Sequence, residues 1–299
     1  MSTAELAATP DGSALVAGDR APGGVRQWLR LLASELRLIF RRWRNLALLA
    51  VLVILPVVLG IGLKVAGPNG GGGGGPEATF FAQLAGNGVF LAFIALSILL
   101  TLVLPLVIAV VSGDSVAGEA GAGTLRYLLT VPAGRTRLLA VKYTAVVIFG
   151  LAACLLVTVV SLIMGVILFP VGPVTLLSGT TVSLGVGLLH LLYVTLYVAA
   201  AMAALGAIGL AISSFTEHPI GAIAAVLVLA VASEVADQVA QFAVIHPYLP
   251  THFWLSFDSL LRTPIDTGTL LHGLLSFAVY IVIFCSIAWA RFASADVTS

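Results

Sequence analysis

From residue 45 onward the chain alternates apolar runs of membrane length with short polar breaks. Runs of roughly 20 residues, the length that crosses a bilayer as a helix, cover residues 45–66, 88–111, 143–169, 182–213, 219–236 and 270–290. The pattern predicts an all-α, polytopic membrane protein with six transmembrane helices. The fourth run is longer than a perpendicular span, which predicts tilt or a helical end projecting beyond the membrane. Pro56 and Pro105 lie inside the first two spans. They predict kinks, because proline removes a ladder donor and clashes with the carbonyl four residues earlier.

Ahead of the first span, Val25, Trp28, Leu29, Leu32, Leu36, Ile39, Phe40 and Trp43 recur at helical spacing, and Arg26, Arg30, Arg37, Arg41, Arg42 and Arg44 take the remaining face. This predicts a basic amphipathic helix over 25–44, lying in the headgroup layer. Its interface residues are Trp28, Arg37, Arg41, Arg42 and Trp43. Residues 1–24, rich in Ala, Gly, Ser and Pro, read as a disordered cytosolic tail without a signal-peptide run. Residues 45–290 form the six-span unit and 291–299 a second cytosolic tail.

Composition agrees with the pattern. Of 299 residues, 60% are hydrophobic and 9% charged, against about 25% charged in soluble domains, and the mean hydropathy is +1.13. This balance excludes a soluble domain, and the apolar stripe of the 25–44 helix, leading straight into a span, argues against a nucleic-acid-binding arm. The net charge of +1 is uninformative, but its distribution is not. Twelve of the fourteen Lys and Arg residues lie in the first 44 residues, in the 113–142 stretch or at Arg291, leaving Lys64 and Arg262 on the opposite side. The positive-inside bias therefore predicts both termini and the 113–142 stretch in the cytosol, and a plasma membrane is the expected location. Cys154 and Cys285 lie within apolar runs and point to neither a disulfide nor a metal.

The stretch 113–142 is glycine-punctuated and charged. Leu125, Leu128, Leu129 and Val131 share one face of a short helix, Glu119, Arg126 and Arg135 lie off it, and Pro132 ends it. The pattern D-x-x-x-x-E-x-x-x-G-T-L-x-x-L-L-x-x-P-x-x-R-x-x-x-x-x-x-K, from Asp114 to Lys142, resembles the loop after the second span in permease subunits of type-2 ABC exporters. That resemblance implies a coupling helix docking on a separate ATPase subunit through Glu119, Gly123, Thr124, Leu125, Leu128 and Arg135. It also implies that the 25–44 helix is an elbow helix, and that the chain pairs with a second permease copy or a paralogue.

The chain carries no Walker-type motif. The glycine run at 67–76 lacks the Gly-Lys-Ser/Thr continuation that cradles phosphate and reads as a linker. No cofactor is expected in this chain, with ATP and Mg held by the partner subunit.

Other candidates are fewer. His190 is a lone ionisable group within the fourth span, where such groups mark either a packed hydrogen bond or a pathway. Glu234 and Asp237 lie three residues apart on one helical face at the outer end of span five, where they either mark its wet end or line a substrate pathway. In the 237–269 segment Phe253, Trp254 and Phe257 suit the interface, with short helices dipping into the outer leaflet. His246 and His252 are separated by two prolines and do not have zinc-ligand spacing. Residues 215–219 read as a capped turn with Pro219 in the first turn of span five.

Together these readings describe a permease subunit, not itself an enzyme, exporting an amphipathic or lipidic compound. A secondary transporter would carry paired carboxylates at mid-membrane, and a membrane-embedded enzyme a His/Asp or Ser/His cluster at one depth. A membrane sensor or scaffold would need no coupling segment.

Overall fold

A computed structural model of the protein describes residues 24–66, 87–121, 135–176 and 178–294. The architecture is helical: α1 (Gly24–Arg41), α2 (Trp43–Ala66), α3 (Phe90–Thr101), α4 (Val103–Gly121), α5 (Arg135–Leu168), α6 (Leu184–Ser214), α7 (Pro219–Asp237) and α8 (Thr267–Ser294). A two-residue-per-strand antiparallel hairpin, β1 (Val174–Thr175) with β2 (Thr181–Val182), lies between α5 and α6. Among the described residues six helices are long and apolar enough to cross a membrane: α2, α4, α5, α6, α7 and α8.

The second span departs from the expected single helix over 88–111. It is broken at Leu102 into α3 and α4. The cause is Pro105, which can donate no hydrogen bond to Thr101 and whose ring crowds that carbonyl. Leu102 leaves helical geometry at φ −142° and ψ −45°. Pro56, by contrast, is accommodated inside an uninterrupted α2. The polar stretch at 113–142 also differs from a loop. Helix α4 runs on to Gly121 and α5 begins at Arg135, so Asp114, Glu119 and Lys142 stand on helices.

Helices α4 and α6 form the centre, with α7 and α5 against α4 and with α5 and α8 against α6. Val107, Ile108, Val146, Phe149, Val198 and Met202 are among the side chains buried there. The hydroxyl of Ser213, near the end of α6, inserts into the α4 ladder. It donates to the Gly113 carbonyl at 2.7 Å and accepts from the Val116 and Ala117 N–H groups at 3.1 and 2.8 Å.

At the end of the bundle away from α1, Asn87 organises the chain. Its amide donates to the carbonyls of Gly172 and Pro173, and its Oδ1 accepts from Val89 N–H as α3 begins. Beside it the backbones at Gly88 and Gly165 nearly touch. A Cβ on either would stand 2.2 Å or less from the other's carbonyl oxygen, so only glycine permits this crossing.

The 238–266 connection folds into three short turns of 3-10 helix, Ala240–Phe242, His246–Tyr248 and Ser256–Leu261. Trp254 and Phe257, expected at the interface, are instead 4% and 3% exposed, part of the core. Tyr197 explains this inward turn. Its hydroxyl donates to the Phe253 carbonyl at 2.8 Å and its ring meets Phe277 edge-on, tying the connection to α6 and α8 together.

Candidate functional site

At the α1 end, an apolar seam decides where the charges go. Trp28, Leu31, Leu32, Leu36 and Ile39 of α1 pack on Val141, Ala145 and Ile148 of α5. Glu35, on the same face of α1, is thereby brought against α5, where it meets Lys142. The Lys142 side chain is 1% exposed, and its Nζ lies 2.6 Å from Glu119 Oε1 and 3.3 Å from Glu35 Oε1. One ammonium thus joins α1, α4 and α5.

A second ion-pair group adjoins it. Asp114 of α4 accepts from Arg42, the residue between α1 and α2, and from Arg44 at 3.0 Å. Asn45 closes the junction. Its amide donates to the Ile39 carbonyl at 2.9 Å, satisfying an acceptor in the last turn of α1. Its Oδ1 is buried without a partner and adjoins a cavity of about 40 Å³ that Glu35, Arg42, Asp114, Ser115, Glu119 and Lys142 also line. That volume admits an ordered water.

Three carboxylates therefore face three cations at the membrane end of the bundle. Removing charges from water costs several kcal/mol per ion, offset only where partners are close and remaining polar atoms are satisfied. The balance of signs and the short contacts supply the close partners.

The same ties bracket residues 122–134. Arg137, in the first turn of α5, donates to Gln27 Oε1 at 3.1 Å and to the Gly24 carbonyl. Trp289 of α8 donates to Thr136 Oγ1 at 3.0 Å, and Arg291 lies over the Phe215 ring in the turn between α6 and α7. Of the residues assigned to docking, Glu119 belongs to this charge cluster. Gly123, Thr124, Leu125 and Leu128 lie outside the described residues, as does the side chain of Arg135. Trp28 is in the α1–α5 seam, Arg37 and Arg41 are exposed on the far side of α1, and Trp43 is 84% exposed where α2 starts.

The opposite end carries a smaller polar group. Asp237 Oδ1 lies 2.6 Å from His252 Nδ1 and 3.9 Å from His246 Nδ1. Ser233 and Thr251 hydroxyls are 2.8 Å apart, and the Glu234 carboxylate lies near Gln238 and Thr251. Spacing along the sequence did not anticipate that His246 and His252 meet Asp237. Even so, no His/Cys/Asp/Glu group among the described residues has the arrangement of a metal site. His190 stands apart from both groups, half-buried in α6 with Nδ1 unpartnered.

The helices define a multi-span membrane protein, an architecture consistent with a transport-related role. The chain belongs to the family described as "Protein of unknown function (DUF2705)", whose match covers residues 77–298, from before α3 to beyond α8. No curated protein matches the chain.

Proposed function

We infer that the chain is the membrane-spanning permease subunit of an ATP-driven ABC exporter in the plasma membrane, with both termini and residues 122–134 in the cytosol. The observation that supports this most is the cross-bracing around that segment. Glu119 before it and Lys142 after it share a buried ion pair, which Glu35 extends to α1. A displacement applied to residues 122–134 by an ATPase subunit is therefore delivered to α4, α5 and α1 together. ATP and Mg belong to that partner. α2, α7 and α8 turn broad apolar faces outward, suited to lipid and to a second permease copy or paralogue. An amphipathic or lipidic substrate moves along that shared face, with Glu234 and Asp237 at its outer mouth.

The test is reconstitution in lipid nanodiscs with a candidate ABC ATPase subunit from the same genome. The pair should co-purify and hydrolyse ATP in response to substrate. Leu125→Asp with Leu128→Asp should release the ATPase while the permease keeps its thermal midpoint. Gradient-driven transport by this chain alone, needing neither ATP nor partner, would refute the assignment in favour of a secondary transporter.

A further inference from the structure

We propose that the groove on the outer side of α1 is a binding site for the phosphate of an anionic membrane lipid. Ser34, Arg37, Leu38, Arg41 and Arg42 line this groove, whose volume is about 490 Å³, within the range of small-molecule sites. Arg37 and Arg41 are one helical turn apart and project from the same face. Among the described residues neither has a carboxylate partner, and the same holds for Arg26 and Arg30 further along the helix. The one acid of α1, Glu35, is committed to Lys142 on the opposite face. The groove therefore offers unneutralised guanidinium groups, the donors best shaped for phosphate.

Apolar groups are exposed within the groove and on the helix that follows it. Leu38 is 56% exposed within it, and beyond Arg42 in the chain Trp43, Leu46, Ile54 and Val58 are exposed apolar residues of α2. A ligand that puts an anion on Arg37 and Arg41 and hydrocarbon on these apolar residues is a phospholipid. A soluble subunit would match the charge and leave them uncovered. Arg42 gives the site a second property, since it lines the groove and also holds Asp114. A bound phosphate draws on the same guanidinium that fastens α4, so lipid occupancy and the Asp114 contact are linked. The inference does not depend on the exporter assignment.

The experiment measures phosphatidylglycerol binding to the purified full chain by native mass spectrometry, and its thermal midpoint in phosphatidylglycerol and in phosphatidylcholine nanodiscs. Phosphatidylglycerol should be retained and should raise the midpoint, and phosphatidylcholine should not. Arg37→Gln with Arg41→Gln should weaken phosphatidylglycerol by about fivefold per guanidinium removed. Arg26→Gln with Arg291→Gln, the same charge loss outside the groove, should weaken it less than about twofold. Arg37→Lys with Arg41→Lys keeps the charge without the forked donors and should bind more tightly than the Gln pair but below wild type, which separates lost binding from lost folding. Equal losses in the two Gln pairs, or no preference for phosphatidylglycerol, would overturn the proposal. So would inorganic phosphate reproducing the stabilisation, which marks a soluble-anion site. Unchanged lipid binding in the Arg37/Arg41 Gln pair with loss of a co-purifying ATPase would assign the groove to protein docking instead.

Discussion

Lys142 Nζ stands 2.6 Å from Glu119 Oε1, so the helices on either side of residues 122–134 are joined by an ion pair whose ammonium is almost fully buried. Glu35 shares that ammonium from α1. A single lysine thereby fixes the relative positions of three helices.

Substituting Lys142→Met should destabilise the protein by about 3–5 kcal/mol, because it leaves two carboxylates without their cation. Adding Glu35→Gln and Glu119→Gln should return much of the loss. Thermal midpoints in one detergent decide this, and a single variant as stable as wild type would discount the network.

Ser213→Ala should cost about 1–3 kcal/mol, since the Gly113 carbonyl and the Val116 and Ala117 N–H groups lose the hydroxyl that bridges them. Ser214→Ala is the control. Its hydroxyl bonds back to the Ala211 carbonyl in its own helix, and its removal should leave the midpoint within about 0.5 kcal/mol of wild type.

Asp266 begins α8 and gives a pH-dependent contribution. The Thr269 hydroxyl at 2.5 Å and the Thr269 and Gly268 N–H groups donate to its carboxylate and hold its pKa below the ordinary value. A carboxylate lowered on folding stabilises the fold above its unfolded pKa of about 3.9. The stabilisation fades as pH falls through the lower folded value. The difference in midpoint between wild type and Asp266→Asn should accordingly be constant above about pH 5 and shrink in stronger acid. A difference that grows with acidification would contradict the capping role.

The distribution of charge predicts an orientation that labelling can check. In intact cells, cysteines at Gly72 and Thr267 should react with an impermeant maleimide, and one at Ala122 should not. The reverse pattern would invert the topology and remove residues 122–134 from the reach of a cytosolic ATPase.

If Glu234 and Asp237 line an outer pathway mouth, Glu234→Gln with Asp237→Asn should alter export of charged compounds by about tenfold, as expected for loss of a charge contact of about 1.4 kcal/mol. Neutral compounds should be exported nearly as before. Equal rates for both classes would leave the carboxylates with the local role that His252 and Thr251 already give them.

The spans were readable because a membrane-length helix needs a run of apolar residues that composition displays directly. Lys142 was not, since a cation beside a polar stretch reads as solvated, and its partner Glu35 lies 107 residues away. The Asp237 and His252 contact was hidden for the same reason: ligand-spacing rules follow the chain, while the 3-10 turns fold it back. Trp254 and Phe257 suited an interface by residue type, and the inward turn that buries them depends on Tyr197 in another helix. The break at Leu102 was half legible. Pro105 announced a disturbance in the span, and the geometry resolved it into two helices.

That break divides the labour of one membrane crossing. Above Leu102, α3 packs chiefly on α5 and is anchored through Asn87 to the 172–173 loop. Below it, α4 packs on α6 and α7 and carries Asp114 and Glu119. Without a continuous helix between them, the two segments are fastened separately, each to its own neighbours. The crossing is thus a jointed rod, whose one half is keyed to the 172–173 turn and whose other half is keyed to the charged junction beside α1.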